Sequence, residues 1–144
     1  MTTIRGCDFP EEYFYSVDHN VWARLETDGT VTLGATSYGL ALAGEIVSCM
    51  PKRPGREIEI NRSVATLESG KWVDSMKTPI SGEIVAINEE VEEMPSLINR
   101  DPYGAGWIVR MQPADWQAES AHLVTGAAIG PAFTARMDSE GFGI

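Results

Sequence analysis

A mainly β fold, a sandwich or barrel of short strands, is what this sequence predicts, and three observations carry it. Runs of β-branched and aromatic residues recur, each a few residues long and each closed by Gly, Pro, Asn or Asp. Asp28-Gly29 sits inside an alternating segment and is the strongest hairpin signal in the chain. Only one stretch, residues 114–126, patterns as a longer helix. Many short strands with frequent turn signals fit a β architecture that packs or closes on itself.

The elements follow in order. EYFYSV (12–17) is a short extended segment, and VWARLETDGTVTLGATS (21–37) is a hairpin about Asp28-Gly29. Tyr38 to Ala43 forms one or two helical turns, kept short by Gly39 and Gly44. EIVSCM (45–50) precedes a proline-rich loop (51–55), and REIEIN (56–61), SVATLE (63–68), WVDSMKTP (72–79) and GEIVAIN (82–88) read as strands. The acidic stretch 89–104 holds a turn of helix and a tight turn at Asp101–Gly104. GWIVRM (106–111) is a further strand. ADWQAESAHLVTG (114–126) is the helix candidate, capped by Asp115 or with Pro113 in its first turn, and stopped by Gly126. Residues 127–144, with three glycines and a proline, read as a tail on the surface. GEIV occurs twice, at Gly44–Val47 and Gly82–Val85, which suggests a weak internal repeat of two similar half-sheets.

With 144 residues and 43% hydrophobic content, one domain spanning 1–144 is expected, its core at about 13–112 and its C-terminal helix and tail at 113–144. The formal charge of −10 argues against nucleic acid and against anionic membrane surfaces, and suits partners with basic patches. No apolar run approaches the roughly 18 residues of a membrane span, and MTTIRGCDFP is not an apolar signal segment, so a cytoplasmic protein is expected. Cys7 and Cys49 form neither a C-x-x-C nor a metal pattern. Cys49 reads as a buried strand residue and Cys7 as incidental, although exchange with a bound sulfur species stays open. His19 and His122 are far apart and have no paired ligands, so no metal site and no catalytic residue is assigned.

The one stretch that points to chemistry is LESGKW (67–72). It falls between two predicted strands. Either Ser69-Gly70 or Gly70-Lys71 turns the chain, with glycine supplying positive φ, and either way Lys71 is pushed out at the tip.

Glu68-Ser69-x-Lys71, followed by Pro79-x-Ser81-Gly82-Glu83, resembles the lipoyl-lysine motif of the glycine cleavage H-protein family. The resemblance is collinear over about residues 13–112: His19 and Trp22, Thr30–Gly34, Thr36, Tyr38, Gly44–Val47, Pro95–Asn99, Asp101–Gly104 and Gly106–Ile108. It implies a barrel-sandwich hybrid with lipoic acid amide-linked to Lys71 by a lipoate ligase or lipoyl transferase. Glu68 would be read by that enzyme, Ser69 and Gly70 would shape the tip, and Trp72 would either cover the sheet or pack under the arm. The implied role is a carrier and not an enzyme. Biotin carriers flank their lysine with methionines, which Gly70 and Trp72 do not match.

Typical members carry valine before the lysine and alanine after it, where this chain has Gly70 and Trp72. With Asp115-Trp116, Ala118–Ser120 and Thr125–Ala128, this resembles a branch of lipoate-binding proteins of bacterial sulfur oxidation that accompany a heterodisulfide-reductase-like complex. That branch implies sulfur-bound cargo. The alternatives are an H protein that carries an aminomethyl group among glycine cleavage enzymes, and an unmodified docking module.

Overall fold

The computed structural model describes residues 1–143. The strands are β1 (Thr2–Ile4), β2 (Cys7–Phe9), β3 (Phe14–Ser16), β4 (Val21–Leu25), β5 (Val31–Ala35), β6 (Ile46–Pro51), β7 (Glu57–Ile58), β8 (Ser63–Ser69), β9 (Val73–Lys77), β10 (Gly82–Ile87) and β11 (Val109–Pro113). The helices are α1 (Ser37–Ala43), α2 (Glu89–Glu93), α3 (Ser96–Arg100), α4 (Trp116–Ser120) and α5 (Ile129–Glu140), with a 3₁₀ turn at Gly126–Ala128. Among the described residues the strands form three sheets: β1-β2, the six-stranded β3-β4-β5-β11-β10-β7, and the three-stranded β6-β8-β9. The fold is mainly β with short helices and a C-terminal helix, as the strand pattern predicts.

Local chemistry accounts for the hairpins. At Asp28-Gly29 the Glu26 amide donates to the Thr30 carbonyl (2.8 Å) and the Gly29 amide to the Glu26 carbonyl (3.1 Å). Gly29 takes φ 86°, the left-handed residue that a three-residue hairpin loop needs. Deeper in this pair, β4 and β5 set Trp22 opposite Gly34. A Cβ on Gly34 would lie 2.5 Å from the indole, so only glycine leaves room for that ring.

Several expectations are corrected. REIEIN contracts to the two-residue edge strand β7. The helix expected over 114–126 stops at Ser120, although Asp115 does cap it, accepting from the Ala118 amide at 3.2 Å. The reason is tertiary. Val124 exchanges two backbone hydrogen bonds with Tyr15 of β3 (2.9 and 3.0 Å), so residues past Ser120 cover a sheet edge instead of continuing a helix.

The supposed surface tail is also overturned. Residues 129–140 form the longest helix, and its Ile129, Phe133 and Met137 are fully buried. Their four-residue spacing makes one helical stripe. Pro131 lies in the first turn, where its missing N–H leaves no bond unmade. Gly141, at φ 70°, closes the helix: its own amide donates to Asp138 (3.2 Å) and the Phe142 amide to Met137 (2.9 Å).

The two half-sheets expected from the GEIV repeat are not alike, being six-stranded and three-stranded. The repeat survives locally. In both copies the isoleucine (Ile46, Ile84) is buried, and a register shift leaves the following valine (Val47, Val85) exposed. The core divides into two clusters. One lies among the strands, around Val21, Leu33, Ile80, Ile84 and Met111. The other joins Cys7, Phe9, Tyr15, Trp22 and Tyr38 to the buried stripe of α5.

Candidate functional site

The β8–β9 hairpin presents Lys71. Ser69 donates its amide to the Trp72 carbonyl (2.9 Å), so Gly70-Lys71 is the two-residue loop. The buried Ser69 hydroxyl accepts from the Lys71 amide (3.2 Å) and the Trp72 amide (3.4 Å), fixing the tip from beneath. Gly70 is not among the positive-φ glycines, and a Cβ there would meet nothing within 4 Å. The expectation that glycine supplies positive φ here is therefore corrected: the turn accepts an ordinary side chain. This fits the family resemblance, whose usual residue at this position is valine.

Lys71 is exposed and enters none of the ion pairs among the described residues. Its stem runs beside Gly44, where a Cβ would lie 3.8 Å from Lys71 Cε. Gly44 caps the end of α1 and is held by Asn99 of α3. The Asn99 side chain donates to the Gly44 carbonyl (3.0 Å) and accepts from the Ile46 amide (2.8 Å). A side chain far away in sequence thus clamps the backbone on which the lysine leans. Nothing in the order of residues signalled this clamp beyond the PSLIN match.

Beside the tip, a cleft of about 240 Å³ opens between α1 and the hairpin. Leu40, Ala43, Ile46, Leu67 and Trp72 line its apolar walls, and His19, Asn20, Asp74 and Ser75 its polar end. Trp72 is 42% exposed and forms part of the wall nearest the lysine. Glu68 lies on the opposite, outward face of β8, between Ser48 and Val73 in register. The structure therefore brings Lys71, Ser69 and Trp72 to one side of the hairpin and sends Glu68 to the other.

The second half of the motif is a brace. After Pro79, the Ser81 amide and hydroxyl donate to the two carboxylate oxygens of Glu119 in α4 (2.8 and 2.6 Å). Gly82 is forced: a Cβ there would lie 2.2 Å from the Gln112 carbonyl oxygen. The C-terminal residues that set the chain apart are structural in the same way. Asp115 caps α4, the Trp116 ring meets Phe14 edge-on at 5.0 Å, and the Thr125 hydroxyl donates to the Tyr13 carbonyl at 2.8 Å.

Both cysteines are buried, in different clusters. Burial, with Glu92 nearby, pushes the Cys49 thiol up to about 12, and burial also raises the Cys7 thiol. Cys7 is thus a core residue and not an incidental one. His19 Nε2 is hydrogen-bonded to Asn61 Oδ1 at 2.9 Å, and His122 is exposed. No cluster of three or more metal-ligating side chains occurs among the described residues, and no helix there is long and apolar enough to cross a membrane.

A β scaffold that offers an exposed lysine on a braced hairpin, beside a cleft, is an arrangement suited to a carrier, a protein that presents an attached group to other proteins' active sites. The family is equally clear. Residues 13–133 match the family model "Glycine cleavage H-protein". Glycine cleavage system H protein 2 of Aquifex aeolicus (strain VF5) is 43% identical over 122 residues, covering 85% of this chain and 76% of that protein. Probable glycine cleavage system H protein 2 of Saccharolobus solfataricus is 39% identical over 130 residues, covering 89% and 87%. The crystal structure of a glycine cleavage system H protein from Mycobacterium marinum superposes with a TM-score of 0.76 at 27% identity, covering 89% of this chain and 98% of that one. The chain belongs to the glycine cleavage H-protein family, whose members are carriers of covalently attached lipoate and not enzymes.

Proposed function

We propose that this chain is a cytoplasmic lipoyl carrier with lipoate amide-linked to Lys71, and that it carries an aminomethyl group among glycine cleavage enzymes. One observation carries the reading: a free, exposed lysine at the tip of a braced hairpin, directly beside a cleft with apolar walls. The residues present fit the group. Lys71 would hold it through its amide, and Leu40, Ala43, Leu67 and Trp72 offer an apolar bed for an acyl chain. When bound, the group supplies a dithiolane whose ring opens to hold cargo on sulfur.

The chain's own residues do the rest. Ser69 holds the tip in one shape, Asn99 fixes the Gly44 platform beside the lysine stem, and Trp72 adds an aromatic surface to the cleft wall. Tethering keeps cargo at high local concentration for each site it visits. Glu68, exposed on the outward face of β8, would be read by the lipoate ligase or lipoyl transferase. The test is peptide mass spectrometry of the fragment holding Lys71, from protein purified from its own cells. A lipoyl mass on Lys71 supports the carrier. An unmodified Lys71 in cells that run the pathway leaves only a docking module.

A second reading, carriage of sulfur-bound intermediates to a heterodisulfide-reductase-like complex, is favoured by the tip itself, where Gly70 and Trp72 replace the family's usual valine and alanine. The relatives also come in numbered sets, Aquifex aeolicus holding proteins numbered 2, 3 and 5, which suits a division of labour. The C-terminal matches weigh less, because Asp115, Glu119 and Thr125 brace the scaffold and do not approach the cleft lining. Transfer of an aminomethyl group from glycine decarboxylase separates the two readings.

A further inference from the structure

We propose that Val47, Met50 and Met94 form a docking face with an acidic rim. Its occupant is an enzyme that exchanges cargo with the arm and presents an apolar side chain among lysines and arginines. This rests on the carrier reading above and adds where the partner sits and what its surface must offer.

Three exposed apolar side chains stand along β6. Val47 is 57% exposed, Met50 63% and Met94 50%. Val47 and Met50 lie on the outer side of the three-stranded sheet, Val47 turned out by the register shift between Ile46 and Ser48. Met94 joins α2 to α3, and both helices pack on β6. Asn99 of α3 is fastened to the start of that strand at Ile46, and Glu92 of α2 to Arg53, just past its end (2.8 and 2.9 Å). The junction at Met94 therefore lies alongside the middle of β6, where Val47 and Met50 stand.

The fold does not call for these side chains. The open face of an antiparallel sheet ordinarily carries polar residues, as Thr66 and Ser75, in register with Met50, do here. Apolar residues scattered singly on a surface need no explanation, but adjoining ones mark a contact. Methionine, unbranched and polarisable, suits a surface that packs against another protein.

The rim is acidic. Glu45 and Glu68 are exposed toward the tip end of the sheet, and Glu89, Glu90 and Glu93 are exposed on α2. Glu89 and Glu90 begin the helix and complement its dipole. Glu93 is its last residue, where a negative charge opposes the dipole, so helix stability does not account for it. Of the cations on this flank, Arg53 is paired with Glu92, and Arg100 donates to Met94 Sδ at 3.0 Å.

The sign of the rim selects the occupant. A second copy of a chain of charge −10 would meet its own charge, and phosphate-bearing surfaces are repelled likewise. An apolar anchor within a cationic rim meets both features of the face. The position suits an enzyme that works on the arm. Met50 is opposite Thr66, which precedes Lys71 on the same hairpin by about 16 Å at the usual strand rise. A partner seated there grips the carrier behind the tip and leaves the arm free to enter its active site.

The lipoylated full-length chain tests this against two enzymes, glycine decarboxylase and the heterodisulfide-reductase-like complex. Biolayer interferometry gives Kd at low and high salt for wild type, Met50→Lys, Met50→Leu, Glu93→Gln and Val85→Lys. One of the two enzymes should bind wild type. For that enzyme Met50→Lys should weaken binding on the order of tenfold, and Met50→Leu, which keeps the apolar surface, should stay near wild type. Glu93→Gln should flatten the loss of affinity with salt. Val85→Lys makes the same change at the exposed valine of the second GEIV copy, on the six-stranded sheet, and should bind as wild type. Melting temperatures, unchanged at such exposed sites, confirm that each variant is folded.

Wild-type affinity in Met50→Lys would overturn the docking face while leaving the carrier intact. So would an equal loss in Val85→Lys, the mark of added charge anywhere on the surface. Binding of wild type by neither enzyme would remove the partner and this inference with it. Absence of lipoate from Lys71 would instead remove the carrier reading, and is seen in the mass spectrum independently of any Kd.

Discussion

Phe133→Ala tests whether the C-terminal segment is core or wrapping. Phe133 is fully buried, with its ring centroid 4.3 Å from Phe9, 5.8 Å from Tyr15 and 6.4 Å from Tyr38. It is the middle of three buried side chains on α5, so truncation opens a cavity walled by rings that cannot collapse far. Phe-to-Ala changes at such sites cost about 3–5 kcal/mol. For a chain of this length each kcal/mol lowers the melting temperature by roughly 3 °C, so a fall of about 10–15 °C is expected. Urea unfolding followed by tryptophan fluorescence measures it, because Trp22 sits in the same cluster. Ala135→Ser, on the exposed face of the same helix, should stay within about 0.5 kcal/mol. A loss under 1 kcal/mol for Phe133→Ala would refute the reasoning and return residues 127–143 to the status of a surface strap.

Two glycines should behave oppositely. Gly34→Ala forces a Cβ to 2.5 Å from the Trp22 ring and should destabilise by about 1–3 kcal/mol, whereas Gly70→Ala meets open space at an ordinary φ. The Gly70 variant should be neutral or up to about 1 kcal/mol more stable, with Lys71 still modified, as thermal melts and mass spectrometry will report. Glu119→Ala leaves the Ser81 amide and hydroxyl unpaired and should cost about 1–3 kcal/mol in urea unfolding. Cys49 sets an alkaline limit. Its thiol ionises near the ordinary 9.0 in the unfolded chain, but the folded state keeps the proton until about 12. Its contribution is complete below pH 9 and lost as pH rises. Between pH 9 and 10 the loss is about 1 kcal/mol, and the tyrosines, common to both proteins, cancel from the comparison. Stability curves of wild type and Cys49→Ala should therefore converge over that interval, and parallel curves would exclude a buried neutral thiol.

Much of the site was legible because it depends on near neighbours. The hairpin lysine and the glycine turn at Asp28-Gly29 follow from residues within a few positions of each other, whereas the sequence left open whether Ser69 was in the turn or beneath it. The fold class was legible for the same reason, since alternation and turn residues mark strands one at a time. Apart from Gly70, whose φ is not positive, what failed, failed through distance. The helix expected to 126 lost its second half to the β3 edge, because Tyr15 offered Val124 two backbone bonds. Residues 127–143 looked like a tail because Gly130 and Pro131 read as breakers. The stripe of Ile129, Phe133 and Met137 has meaning only once Phe9, Tyr15 and Tyr38 are gathered to receive it.

The same division holds for function. Sequence alone determined that a lysine would stand exposed on a turn, because turn geometry and strand periodicity are short-range properties of the backbone, and the carrier role came only through the resemblance of its motifs to a family. Tertiary structure alone decided what surrounds that lysine: the cleft against α1, the Asn99 clamp on Gly44 and the Glu119 brace on Ser81. Each joins residues far apart in the chain, and each exists only where packing brings them within hydrogen-bond or van der Waals reach.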